Sequence, residues 1–435
     1  MKRALRDAFQ SIKGSPLAWE LFALAVLLKA LFSFRCARRL QHAARSFSLS
    51  QTSFTRKISH RLMAGHLGFG REIWYQNKIG WDRYAYALDQ SALSRTVILK
   101  APGDDGEKGV MIVYFEYNCL RLLSQIEDFA AFDSQWTVVF ATSWSPTDYS
   151  LLALAVSKIL GPVYVQPCNY AEIEQLRAFH PRISPLQSLP CDWLHPSYYE
   201  PKPWNERTID ILMVSNWAPF KRHWEFFKAL VDLPAGLHVV CVGQPQDGCD
   251  LDNIRNLADH YGVPQEIEYL ESIPIETVIE LQCDAKLSVI FSLREGCCVA
   301  AAESLMAGAV LAMRRNAHVG PKAYINERTG ILLDPGKISS QLSEALASGE
   351  LLDPANWARE NIAATKTLTA LNQLLAEDAK SAALPWTRDL AQPAWHPYPM
   401  LFDPLDQEAL DPTYAQLHDS YPDLFAADLA TASRR

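Results

Sequence analysis

No CxxC pair and no paired histidines at metal-binding spacing occur in this chain, and no small-x-small cleavage site stands out after its most apolar run, although it holds nine cysteines among 435 residues. An odd number of thiols scattered from Cys36 to Cys298 supports neither a disulfide framework nor a zinc site. Most sit inside apolar runs, which fits a reducing compartment, and the expected location is cytoplasmic. Glycine and proline number 19 and 26, too few for a collagenous or low-complexity chain. The absence of any repeat with a period of about 20–50 residues excludes solenoids and propellers. No GxGxxG follows a strand and no GxxxxGK[ST] occurs, so neither a dinucleotide fingerprint nor a P-loop is present. With a net charge of −8, a surface built to grip nucleic acid is not expected.

What is there is an ordinary globular composition, 49% apolar and 21% charged, long enough for two or three domains. The charge is unevenly placed. Residues 1–70 carry twelve Lys or Arg against Asp7 and Glu20, a balance of +10, which leaves −18 for the remainder. Within this basic stretch, Leu17 to Phe34 is the most apolar segment. Leu17, Leu21, Leu24, Leu28 and Leu31 fall within an arc of about 80° on a helical wheel, which predicts a helix. Glu20 and Lys29 leave eight uncharged residues between them, against the roughly 20 that a bilayer requires, so spanning is disfavoured. Two readings remain. In the first, slightly favoured, the helix is buried or docks on another domain; in the second it lies at the headgroup level with its arginines on an anionic membrane surface.

From about residue 96, β-branched runs alternate with helical stretches, which predicts parallel sheets covered by helices. The first series is Thr96–Leu99, Val110–Phe115, Thr137–Ala141 and Val163–Gln166. A proline-rich linker, Pro196–Arg207, precedes the second: Ile209–Val214, Leu237–Val242, Glu266–Leu270, Leu287–Phe291 and Val310–Met313. A last helix is expected over about Trp357–Ala379, followed by a surface-wrapping or partly disordered tail. The expected organisation is a basic helical extension over 1–95, an α/β domain over 96–207, a second over 208–352, and a helix with a Pro- and aromatic-rich tail over 353–435.

Chemistry concentrates after two strands of the second series. Ser292-Leu-Arg-Glu-Gly-Cys-Cys-Val-Ala-Ala-Ala-Glu303 follows the fourth strand and opens a helix. This puts Glu295 in the loop, Glu303 more than a turn into the helix, and Gly296 with the backbone N–H groups of Cys297, Cys298 and Val299 above the sheet, where anions bind. The first strand ends in Ser215-Asn216-Trp217-Ala-Pro-Phe-Lys221-Arg222-His223, which sets cations at the next helix start. Singly, each element has a plain explanation: a solvated Lys-Arg pair, and two glutamates spaced by chance. Together they face one crevice. For Cys297 and Cys298 a packed role outweighs a nucleophilic one, because no histidine stands nearby.

On these residues the sequence resembles the retaining group 1 glycosyltransferases of GT-B architecture. The resemblance rests on Glu295 to Glu303 with Ala307-Gly308, on the Lys221 element and on Asn326 to Pro335, and it covers about residues 208–350. It implies two Rossmann-like α/β domains facing across a cleft, with a nucleotide sugar held by the C-terminal one. Glu303 would then bind the ribose hydroxyls, Lys221 the diphosphate and Glu295 the donor sugar, with the N–H groups of Cys297 to Val299 also facing the donor. Asn216 stands where the family usually has a second diphosphate cation, a role that Arg222 or Arg294 would take over. Cys297-Cys298 replaces the usual Phe-Gly and adds bulk beside the sugar. The first 207 residues resemble a narrower bacterial branch, through Glu107-Lys-Gly-Val, Thr142-Ser-Trp-Ser-Pro and Cys191-Asp-Trp.

The resemblance implies transfer with retention, through front-face attack, to a saccharide, lipid-linked or protein acceptor. No metal and no cofactor beyond the nucleotide-sugar co-substrate is implied, and no nucleic acid partner. Lys221 and helix-end N–H groups would stabilise the charge left on the departing diphosphate. Trp144 and Asp148, after an N-terminal strand, would face the acceptor, or else serve as a packed aromatic and a helix N-cap. Two alternatives stand beside this reading: a sugar-nucleotide epimerase of the same architecture, and a catalytically weak relative that binds a sugar nucleotide or scaffolds an assembly at the membrane.

Overall fold

The computed structural model describes residues 15–85, 96–396 and 398–428. Lys2, Arg3, Arg6 and Lys13, which contribute to the basic balance, lie outside the described residues. The chain divides into two compact units, and they are not consecutive in sequence. One takes the residues up to Pro190 together with Leu368–Pro393 and the residues from Tyr398; the other takes Cys191–Thr367 and a short stretch from Ala394.

The first unit opens with three helices, α1 (Pro16–Leu31), α2 (Cys36–Leu49) and α3 (Ser53–Ala64). Ser15 caps α1 by accepting from the Ala18 amide, and Pro16 suits its first position, where no N–H partner is needed. The helix stops at Leu31, three residues short of the predicted end, and α2 restarts after Arg35. Glu20, which reads in the sequence as an obstacle to membrane burial, is a packed residue. Its carboxylate accepts from the hydroxyls of Ser50, Thr52 and Thr55 and from the Gln51 amide at 2.5–3.1 Å. Burial opposes its charge, but these donors outweigh that and hold the carboxyl below its ordinary range.

The five-stranded sheet of this unit runs in spatial order β1 (Thr96–Lys100), β2 (Gly109–Tyr114), β3 (Trp136–Ala141), β4 (Val163–Gln166) and β5 (Ile183–Pro185). β2, β3 and β4 are parallel as predicted, β5 adds a further parallel strand, and their near-continuous burial is what two covered faces demand. β1 is antiparallel to β2. Residues 101–108 join them, too few for a crossover, which needs a dozen or more. β5 escaped the sequence reading because it is three residues long and ends in proline, a composition suited to an edge. The helices α4 (Glu116–Gln125) and α5 (Tyr149–Lys158) follow β2 and β3.

The second unit is a six-stranded parallel sheet of β6 (Ile209–Val214), β7 (Val239–Gly243), β8 (Ile267–Glu271), β9 (Ala285–Ile290), β10 (Val310–Arg314) and β11 (Gly330–Leu333), ordered β11-β10-β9-β6-β7-β8. The chain moves outward from β6 to β8, returns to β9 beside β6, and moves outward the other way. Alternate β6 residues serve opposite faces. Ile211 and Met213 pack with Phe226 of α6 (His223–Leu230) and Ile254 of α7 (Leu251–Tyr261), whereas Leu212 packs with Val278 of α8 (Ile275–Asp284). α9 (Val299–Met306) follows β9 and packs on α8. β11 lies within the Asn326–Pro335 stretch, and its glycine has a structural cause: a Cβ on Gly330 would meet the Leu311 carbonyl oxygen at 2.0 Å.

The predicted last helix is two: one over Pro354–Asn361, then α10 (Ala364–Ser381). The described part of the tail carries α11 (Pro404–Ser420). It is anchored on the first sheet, where the buried Tyr414 phenol accepts from the Ile98 amide at 2.8 Å. The fold class is therefore the α/β class expected, with a helical N-terminal segment, while the C-terminal stretch is more ordered than its composition suggested.

Candidate functional site

The return of the chain from β8 to β9 makes the carboxyl ends of β6 and β9 neighbours, and a crevice opens where strand order reverses in this way. Both elements singled out in the sequence leave from these two ends. After β6, Ser215 to Ala218 lead into a 3₁₀ turn over Pro219–Lys221, and Arg222 adopts a left-handed conformation (φ 63°) before α6 begins. Trp217 pins the loop. It is buried, donates from Nε1 to Glu271 at 2.6 Å and from its amide to the Gln244 carbonyl at 2.9 Å. Gly243 at the end of β7 makes room for it, since a Cβ there would lie 2.4 Å from the Ser215 oxygen and 2.7 Å from the Trp217 ring.

After β9, the loop is tied by backbone bonds to the segment following β10. The Glu295 amide donates to the His318 carbonyl, the His318 amide to Leu293 and the Gly320 amide to Gly296, at 2.7–3.1 Å. Arg294 pairs with His318 through its backbone in this bridge. The loop ends at Cys298, left-handed at φ 37°, and no side chain caps α9. Cys297 and Cys298 are buried, and burial pushes the Cys298 thiol up, out of reach of a thiolate at neutral pH.

The Lys221 ammonium reaches across the 74 residues of separation and forms an ion pair with Glu295, both side chains being about nine-tenths buried. Burial opposes the charge on Lys221, but Glu295 beside it raises its pKa above the ordinary value, so the ammonium stays charged. His223, two residues on, bonds to Ser215 at 3.1 Å and is driven down to about 3 by burial and by the neighbouring Lys221. It is neutral at any physiological pH.

Glu303 is placed differently. It lies inside α9, and Gln282 of α8 donates to it at 3.4 Å, on the face opposite α6. Burial pushes its carboxyl up to about 7. Asn216 turns its oxygen back to the Ala218 amide at 3.2 Å, closing its own loop. Arg222 is buried and donates to Glu225 at 2.9 Å while packing on Trp224. Glu225 also pairs with the buried Arg314 at the end of β10. Two guanidinium groups thus share one carboxylate, and burial with Arg222 nearby brings Arg314 down to about 10. Arg314 escaped the sequence reading because only the sheet order brings β10's end beside α6. No cluster of His, Cys, Asp or Glu suited to a metal is found among the described residues.

In the first unit, the ends of β2 and β3 border a cavity of about 340 Å³ lined by Arg83, Tyr84, Glu116, Tyr117, Trp144 and Asp148, among others. Asp148 is the N-cap of α5, accepting from the Ser150 amide at 2.9 Å, and it also holds the Tyr84 phenol at 2.8 Å and Arg83 at 3.0 Å. Trp144 is 44% exposed. Glu116, absent from the sequence reading, accepts from the Ser143 amide and hydroxyl and the Trp144 amide at 2.5–3.0 Å, which orients the tryptophan loop. Only its place directly after the expected strand Val110–Phe115 could have drawn attention to it.

Residues 197–361 match the family model described as glycosyl transferases group 1, a segment lying within the second unit. No curated protein matches the chain. Among solved structures it is similar to the sucrose-phosphate synthase of Thermosynechococcus elongatus, at 15% identity over 63% of this chain and 74% of that one, with a TM-score of 0.48. It is also similar to TarM, at 15% identity over 64% of this chain and 56% of that one (TM-score 0.48). A third likeness is to Anabaena Alr3699/HepE in complex with UDP and glucose, at 14% identity over 62% and 78% (TM-score 0.47).

Proposed function

We propose that this protein is a glycosyltransferase, moving a sugar from a nucleotide-sugar donor to a saccharide or lipid-linked acceptor with retention at the anomeric carbon. The observation that carries this reading is the Lys221–Glu295 pair at the carboxyl-end reversal of a doubly wound sheet, inside the segment that matches the group 1 model. A nucleoside diphosphate entering the crevice offers Lys221 a stronger anionic partner than Glu295. The released carboxylate then accepts hydrogen bonds from the donor sugar. As the anomeric C–O bond breaks, negative charge grows on the departing diphosphate, and the fixed ammonium stabilises it. The uncapped start of α9, with the N–H groups of Gly296 to Val299, adds to the same field. Glu303 serves the ribose hydroxyls, and its desolvated carboxyl gains on accepting them. The reading invokes no metal and no cofactor beyond the co-substrate.

In the first unit, the Trp144 cavity takes the acceptor, its aromatic face suited to the apolar face of a sugar ring and Arg83 to hydroxyls. The protein works in the cytoplasm, in keeping with its scattered thiols.

The test is a thermal-shift screen with UDP, GDP, ADP and CMP sugars. A binder raises stability by RT ln(1 + [L]/Kd), about 2.7 kcal/mol at a hundred times Kd. One nucleotide class should stand out, and its shift should be lost in Glu303→Ala. A flat response to every nucleotide, with no donor hydrolysis, would sink the reading.

A further inference from the structure

The leucine stripe of α1 does not face the protein. α1 packs on α2 through Ala23, Val26, Leu27 and Ala30, with the Ser46 hydroxyl bonding the Ala23 carbonyl, while Leu17, Leu21, Phe22, Leu28 and Leu31 are exposed. The connection to α2 continues the pattern, with Phe32 77% exposed and Phe34 fully so. Large apolar side chains concentrated on one helix and its exit turn are unusual on a soluble surface and mark an interaction site.

The charge around them has one sign. Lys29, Arg35 and Arg38 are exposed at the C-terminal end of this stripe, and Lys57 and Arg61 are exposed on α3. Between residues 15 and 71 the sequence holds a single acid, Glu20, and that carboxylate is buried and consumed by its hydrogen bonds. Arg39 is occupied with the Ser33 carbonyl, which fixes the exit turn that carries Phe32 and Phe34.

We infer that this face is a docking surface for an anionic lipid leaflet, with the α1 stripe and the Phe32–Phe34 turn entering the headgroup boundary and Lys29, Arg35 and Arg38 meeting the phosphates. Charge complementarity selects this occupant. A second copy set face to face would bring these cations against themselves, and among the described residues the carboxylate that a hydrogen bond places against α2 is the single Asp82 at Gln41. Spanning is a different state: no helix among the described residues is long and apolar enough to cross a membrane, and Glu20 ties α1 sidewise to α3. The inference stands apart from the glycosyl-transfer reading, since lipid binding is measured without donor or acceptor.

The experiment is flotation of the full chain with phosphatidylcholine vesicles, with and without phosphatidylglycerol, at low and high salt. The protein floats with the anionic vesicles, and the bound fraction falls as salt rises. Lys29→Glu/Arg35→Glu/Arg38→Glu lowers partitioning about a hundredfold or more, at roughly fivefold for each lost basic contact. Leu28→Gln/Phe34→Ser, at exposed positions that leave the melting temperature unchanged, lowers it comparably. No flotation of the natural chain, equal flotation with neutral vesicles, or binding untouched by the charge-reversal variant would each overturn the inference. So would a concentration-dependent dimer dissolved by Leu28→Gln/Phe34→Ser without any vesicle binding.

Discussion

At Lys221 a single side chain carries two demands, because the charge that would serve a diphosphate is paired with Glu295. Lys221→Ala therefore has two consequences. It removes the leaving-group cation, and turnover falls about a hundredfold to a thousandfold. It also leaves Glu295 buried without its partner, which destabilises the fold until Glu295→Gln is added. Steady-state kinetics on the folded double variant separate the two, and full activity there would rule out a chemical role for the pair. The titrating groups around it give a second prediction. His223 has a folded pKa of about 3, below its ordinary 6.5, so its contribution is complete above pH 6.5 and is lost as pH falls towards 3. Glu303 behaves in the opposite sense. With its folded value raised to about 7 from 4.5, the contribution is complete below 4.5 and is lost as pH rises through 7. Denaturant titrations should show Glu303→Gln flattening the neutral limb by up to about 3 kcal/mol, and His223→Gln flattening the acid limb. Unchanged limbs would show that neither group titrates as its burial requires.

The elements of the second unit are joined by close backbone approaches that leave no space for side chains. β7 ends in Gly243 because the β6 loop and Trp217 fill the place where its Cβ would stand. Gly243→Ala should move the Trp217 loop, and with it Lys221, and destabilise the unit by about 1–3 kcal/mol, the range for overpacking a filled site. The measurement is the denaturation midpoint together with nucleotide affinity. A stable Gly243→Ala protein that binds nucleotide normally would show that the loop is not held in place by Trp217. The same logic makes β11 legible afterwards: its glycine is required by the Leu311 carbonyl, not by a turn. Period and β-branching located nine strands, with ends differing by one or two residues. β5, at three residues, fell below what a periodic pattern can signal, whereas β11 is as long as β4 but opens on a glycine and holds one β-branched residue against two in β4.

For the whole molecule, the C-terminal stretch matters more than its composition indicates. Residues from Tyr398 group with the first unit, and Tyr414 of α11 closes on the backbone of β1, the edge strand of that sheet. Removing the chain after Pro393 exposes that edge and should lower the melting temperature, while Tyr414→Phe should cost about 1–3 kcal/mol by leaving the buried Ile98 amide without its acceptor. Calorimetry tests both. An unchanged melting profile after the truncation would mean that α11 only lies on the surface.

The sequence by itself determined the class of the fold, because buried parallel strands must read as apolar β-branched runs and those runs are local. It also determined which residue types could serve an anion, since Lys221, Gly296 and the start of α9 follow strand ends in the chain. Its own alternatives for Asp148 were a helix cap and an acceptor contact, and the structure shows the cap. What only the tertiary structure decided depends on the order of strands. The reversal between β6 and β9 joins Lys221 to Glu295, sets Arg314 beside Arg222 and Glu225, and leaves Glu303 with Gln282. The wheel of α1 predicted an apolar stripe, but the side that meets the protein is that of Glu20, Ala23, Val26, Leu27 and Ala30, with five donors to the Glu20 carboxylate coming from Ser50, Gln51, Thr52 and Thr55. A buried carboxylate must be satisfied where its donors are, and together with the close approach of α1 to α2 along Ala23, Val26, Leu27 and Ala30 this leaves the leucines outside.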